Sequence, residues 1–109
     1  MNNINYIGSI VKIAEYPKFK RIESNTNTNA YITEFRAQLP QIRQDRGMIK
    51  LVFWGELAND IINYYKINDY IIIEGYLSFR ETLIAYLLRH NLKQVEVNVL
   101  KVYPFILNF

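Results

Sequence analysis

The chain has 109 residues, half of them apolar, which suits one small domain with enough core to fold and with something to gain from self-association. It has no cysteine, so disulfides and thiolate metal sites are excluded, and no apolar run approaches the roughly eighteen residues of a membrane-spanning helix. A formal charge of +3 permits a polyanionic partner without demanding one.

Residues 1–14 read as a strand, with Ile4, Tyr6, Ile10 and Ile13 as apolar positions and Gly8 as a bend or a close backbone approach. Tyr16 to Ile22 places Lys18, Lys20 and Arg21 around Phe19, either a rim contact for a nucleic acid or a solvated edge guarded by cations. Glu23 to Asn29 is polar and rich in turn formers, so it is a loop between strands. Ala30 to Leu39 alternates regularly. Tyr31, Thr33, Phe35, Ala37 and Leu39 share one face, and Ile32, Glu34, Arg36 and Gln38 share the other. Pro40 to Gly47 carries Arg43 and Arg46 in what reads as a hairpin arm, as consistent with a backbone clamp as with an ordinary exposed surface.

Met48 to Trp54 is a strand by its β-branched and aromatic content. Ile49, Leu51 and Phe53 make the core side. Met48, Lys50, Val52 and Trp54 make a side that joins a flat aromatic to a cation, as a surface that stacks bases and neutralises phosphates would. A tryptophan at a strand end is also an ordinary packing residue. Leu57 to Lys66 has helical spacing, burying Leu57, Ile61 and Tyr64 or Tyr65, with Lys66 suited to the negative end of the helix. Asn68 is expected to reverse the chain in the left-handed conformation. In the strand from Tyr70, Ile71, Ile73, Gly75 and Leu77 point one way. Tyr70, Ile72, Glu74, Tyr76, Ser78 and Arg80 point the other, so Tyr76 and Arg80 extend the surface of Lys50 and Trp54, with Glu74 a partner for a nearby cation.

From Arg80 to Lys93, Leu83, Ile84, Leu87 and Leu88 recur at helical spacing, leaving a short helix and an apolar arm both open. His90, the one histidine, has no partner spacing for a metal. Gln94 to Tyr103 is a strand with Val95, Val97 and Val99 inward, Glu96 and Asn98 outward, and a phase shift near Leu100. No phosphate loop, nucleophile motif or metal-ligand cluster is present, so neither an enzyme nor a cofactor is expected.

One block carries a resemblance. Trp54-Gly55-Glu56-Leu57-Ala58, the helix, Lys66-Ile67-Asn68-Asp69 and Ile73-Glu74-Gly75-Tyr76-Leu77 are similar, without a gap, to the central motif of the single-stranded DNA-binding (SSB) proteins of bacteria and organelles. The likeness extends more weakly to the Gly8 strand, to Phe35-Arg36-Ala37 and to the last strand. It implies an all-β single domain over residues 1–109, an OB-fold in which a five-stranded closed barrel carries one helix between its third and fourth strands. It implies binding of single-stranded DNA, in replication or repair, without strong sequence preference. Trp54 stands at the family's base-stacking Phe and Lys50 at its basic neighbour, with Arg36, Arg43 and Arg80 along the phosphates and Tyr76 and Met48 beside them.

The departures are specific. Met48 and Thr82 stand where many relatives place stacking tryptophans, and the chain ends at Phe109 without their acidic tail. The resemblance also implies a homo-oligomer, a tetramer before a dimer. An interaction module with weakened DNA binding and an RNA-binding OB domain stay open. Abundant Ile, Asn, Lys and Tyr fit an AT-rich genome, so a plastid or a bacterial cytoplasm is the expected location.

Overall fold

The computed structural model describes residues 6–23, 29–40, 48–79 and 95–106. Within them lie β1 (Tyr6–Ile13), β2 (Lys18–Glu23), β3 (Asn29–Gln38), β4 (Met48–Trp54), α1 (Glu56–Tyr64), β5 (Tyr70–Phe79) and β6 (Val95–Pro104). Residues 24–28, 41–47 and 80–94 lie outside the described residues, and with them Arg43, Arg80, Thr82, His90 and the apolar run from Leu83 to Leu88.

The strands follow the order β1-β5-β6-β4-β3-β2, and a further pairing of β1 with β3 closes the sheet into a ring, with β2 continuing from β1 along the same edge of β3. Every pairing is antiparallel except β4 with β6. This ring is the five-stranded barrel that the sequence predicts. Its one addition comes at residues 14–17, where the first strand breaks. Pro17 has no N–H to give to a ladder, so the pairing with β3 that begins at Lys12 and Ile13 is interrupted there and resumes at Lys18.

The alternation read from the sequence decides which residues fill the ring. Val11, Ile13, Phe35, Leu51, Phe53, Ile71, Ile73, Val97 and Val99 are buried together, and Phe35 stacks on Phe53 with centroids 5.3 Å apart. Each such side chain contributes about 1.5 to 3 kcal/mol by leaving water. Between β5 and β6 the register shifts at Glu74/Gly75: Glu74 faces Lys101 while Gly75 faces Val99. Leu100 is thereby the extra residue, half-exposed, at the position where the phase of the sequence pattern slips.

Helix α1 closes one end of the ring. Ala58 and Ile61 are fully buried, and Leu57, Ile62 and Tyr65 pack at their edges. Thr33, buried on β3, donates its hydroxyl to the Ala58 carbonyl at 2.7 Å and so ties helix to sheet. Gly55 precedes the helix at φ 65°, ψ −130°, a conformation that a side chain would strain. Its N–H donates to the Tyr31 carbonyl at 2.9 Å, which extends the β3–β4 ladder into the helix start.

Two expectations need correction, the helix end and Gly8, and one alternative is resolved. The helix ends at Tyr64, with no basic residue in its last turn, so Lys66 lies beyond it. Its backbone N–H there bonds the Asp69 carboxylate at 2.9 Å, within the reversal that Asn68 makes at φ 77°. Of the two tyrosines it is Tyr65 that packs on the core, while Tyr64 is 75% exposed. Gly8 is neither a bend nor a close approach: it sits in unbroken register opposite Glu74, and a Cβ there would meet atoms no nearer than 3.7 Å.

Candidate nucleic-acid interface

On the outer surface of the ring, β2, β3 and β4 bring the predicted residues together by register alone. Arg36 pairs with Lys50, Gln38 with Met48, Ile32 with Trp54 and Glu34 with Val52. Residues directly opposite in an antiparallel pair share a face, so Met48, Lys50 and Trp54 of β4 share one with Arg36 of β3, which lies beside Lys50. β2 adds Lys18 opposite Glu34 and Lys20 opposite Ile32. Phe19 and Arg21 take the other face, where Phe19 stacks on Tyr31 at 5.5 Å. The cationic stretch between Tyr16 and Ile22 is therefore divided, with its lysines on the same surface as Trp54.

Trp54 is 46% exposed at the end of β4. Ile32, its partner across the β3–β4 pair, and Val52, two residues before it on the same face, are buried and give the indole apolar neighbours. An indole in this setting offers a ring to a planar partner and keeps a firm apolar base.

The cations are not free charges. Lys50 Nζ lies 2.8 Å from Glu34 Oε1, and Lys20 Nζ lies 3.9 Å from the other oxygen of the same carboxylate. Arg36 Nε is 4.0 Å from Glu15 Oε2, while the Arg36 backbone N–H donates to Glu15 Oε1 at 2.9 Å. Between these pairs lies a cleft of about 180 Å³ lined by Glu15, Lys18, Glu34, Phe35, Arg36 and Lys50. Glu34 and Glu15 are the residues of this surface that sequence reasoning missed as partners. Glu34 was visible on the Arg36 face of its strand, but its reach to Lys50 and Lys20 depends on the β2–β3–β4 register.

Tyr76 lies on the outer surface two strands away from β4, in the row that runs Tyr6, Tyr76, Asn98, Val52. It packs edge-on against Tyr6 at 5.2 Å rather than against Trp54. The Tyr6 hydroxyl donates to Glu74 Oε1 at 2.7 Å, so the described partner of Glu74 is a phenol where a cation was expected. That hydrogen bond, with some desolvation and the charge of Glu74, pushes the Tyr6 phenol up to about 12.

No protein-family model matches the chain. A protein of Trieres chinensis that carries the provisional name single-stranded DNA-binding protein ycf41 is 37% identical over 108 residues, which cover 96% of this chain and 92% of that one. Among solved structures, the SSB domain of a Synechococcus protein superposes with a TM-score of 0.69 at 20% identity, covering 94% of this chain and 98% of that one. A small single-stranded DNA-binding protein of Streptomyces coelicolor gives 0.66 at 12% identity, covering 97% of each chain. The second OB-fold domain of replication protein A from Methanococcus maripaludis gives 0.63 at 15% identity, covering 94% and 85%. These structural likenesses show that the closed ring with its capping helix is an OB-fold. The identity to the Trieres protein, over nearly the whole of both chains, shows that this chain belongs to the family of single-stranded DNA-binding proteins.

Proposed function

We propose that the chain binds single-stranded DNA without strong sequence preference, stacking a base on Trp54 and leading the phosphates along Lys50 and Arg36. The observation that carries this reading is the half-exposed indole set on one OB-fold face with those two cations. Base–aromatic stacking contributes about 1 to 3 kcal/mol per base and tolerates any sequence, because every base has a π-face. Met48 would widen the contact, whereas Tyr76, read from the sequence as part of it, lies two strands from β4 on the side of Tyr6. Arg43, by its loop position, and Arg80, by strand parity, are read from the sequence as part of the phosphate path.

Self-association belongs to the same reading. Tyr6, Tyr76 and Tyr103 remain exposed on the outer surface of β1, β5 and β6, away from Trp54, and support a homo-oligomer; the resemblance favours a tetramer before a dimer. The composition supports a plastid or a bacterial cytoplasm as the location, and DNA replication or repair is the process that fits.

One titration tests the binding. Trp54 is the only tryptophan, so its fluorescence reports the face directly. Oligo-dT should quench it, more weakly as salt rises, and oligo-rU should bind less well. By anisotropy of a labelled oligonucleotide, Trp54→Ala should weaken binding about tenfold to a hundredfold, the equivalent of one lost stack. Light scattering on the same sample reads the mass of the assembly. An intact oligomer that responds to no oligonucleotide would replace this reading with a protein-interaction module, and tighter binding of rU than of dT would replace it with RNA binding.

A further inference from the structure

We infer that Glu34 is an internal competitor for the nucleic-acid phosphate, a positioning residue that sets how tightly and with what salt dependence this face holds a strand. The inference rests on the single-strand-binding reading and adds to it a residue of opposite charge.

Register places Glu34 at the centre of the face. It is directly opposite Lys18 on one side and Val52 on the other, so Lys20, Lys50 and Trp54 are its diagonal neighbours. Its carboxylate spans two strands, 2.8 Å from the ammonium of Lys50 and 3.9 Å from that of Lys20. The Glu34 side chain is only 19% exposed, so little water screens these contacts. At 2.8 Å a carboxylate–ammonium contact is a full charge-assisted hydrogen bond.

A phosphate arriving at Lys50 meets this bond first. The ammonium has three donors and can hold a second anion, but that anion then lies beside Glu34, and like charges repel. The phosphate must displace the carboxylate or share the lysine with it. Either way the face attracts a strand less than its cations would alone, since Glu34 and Glu15 stand among Lys18, Lys20, Arg36 and Lys50, and Glu96 lies opposite Lys50 on β6. In return, Glu34 holds Lys20 and Lys50 across β3 before any strand arrives, and favours release afterwards. The Glu15–Arg36 pair repeats the arrangement at the other end of the cleft.

The test compares the full-length chain with Glu34→Gln, which keeps size and hydrogen bonding and removes the charge. Trp54 quenching by oligo-dT is followed across a salt series. Glu34→Gln should bind several-fold tighter at low salt, with the dependence of log K on log salt steeper by about 0.7, one further phosphate contact on a single strand. Lys50→Met should cost affinity in the wild type and clearly more in the Glu34→Gln background, because there Glu34 no longer competes with the phosphate for the ammonium. Glu15→Gln should shift affinity in the same direction and carries the test if Glu34→Gln melts early. Glu74→Gln, a carboxylate on β5 bonded to Tyr6, should leave affinity unchanged. Wild-type binding that neither Glu34→Gln nor Glu15→Gln tightens, with folded variants by circular dichroism, overturns the competitor role and leaves strand binding standing. Absence of binding in the wild type and every variant overturns both.

Discussion

Gly8 and Gly75 lie on adjacent strands one register step apart, Gly8 opposite Glu74 and Gly75 opposite Ile7, yet the same substitution should affect them very differently. A Cβ on Gly75 would come within 2.2 Å of the Asn98 carbonyl oxygen and 2.8 Å of the Val99 Cα, both backbone atoms of β6 that cannot swing aside. Gly75→Ala should therefore destabilise the fold by about 3 kcal/mol or more, as backbone displaced beside a bulge would. A Cβ on Gly8 makes only ordinary contacts with Glu74 and Ile73, and Gly8→Ala should stay within about 1 kcal/mol of the wild type. Urea midpoints of the two variants check the contrast. The residue scale also carries a pH prediction. Tyr6 ionises at about 12 in the folded chain, because of its hydrogen bond to Glu74, against an ordinary value of about 10. Between those values the folded state keeps a proton that the unfolded state has lost. The contribution is thus complete below pH 10 and disappears as pH rises through 12. Stability measured across that window should fall less steeply in Tyr6→Phe than in the wild type.

At the scale of elements, the helix shows what spacing can and cannot reveal. The repeat of Leu57 and Ile61 was enough to place α1 against the ring. The reversal at Asn68 was anticipated, but the residue at which the helix ends was not, because the extended Tyr65 goes with core packing of its ring, which is not periodic. Burial, and then the carboxylates of Asp60 and Asp69, push the Tyr65 phenol up, in keeping with a ring turned inward. The attachment of the helix to the sheet was half legible. Alternation put Thr33 on the inner face of β3, but only the fold brings the Ala58 carbonyl within 2.7 Å of its hydroxyl. Thr33→Val keeps the shape and removes the bond, so it should cost about 1 to 2 kcal/mol in thermal denaturation. Leu100 is the opposite case. Its bulge was visible in the sequence, because a strand's period of two leaves a slip in the inward set wherever a residue is added.

At the scale of the whole molecule, the ring order could be anticipated from a gapless family block together with clean alternation in β3, β4 and β5. The break that makes β2 a separate strand was written in Pro17, but alternation alone did not separate Lys18 and Lys20 from Arg21 on their two surfaces. The candidate site was legible in its attractive half. Trp54, Lys50 and Arg36 came from one strand's parity and one expected pairing, and their register bears that out. Its opposing half, Glu34 and Glu15, was hidden because a carboxylate's partner is decided across strands, by a register that no single segment contains.

The ring itself is closed unequally. β1 meets β5 through seven register pairs but meets β3 through only two, Lys12 with Gln38 and Ile13 with Ala37, helped by the Ala14 N–H on the Arg36 carbonyl. Such a short clasp should unfasten while the remaining joints hold, since the free energy of a local opening scales with the contacts it breaks. In native-state hydrogen exchange the Ala14 amide should lose its proton sooner than amides at the middle of β5, and with less response to denaturant. Because Arg36 hangs on that clasp, a ligand gripping its guanidinium should slow the loss, linking occupancy of the outer surface to the integrity of the barrel wall.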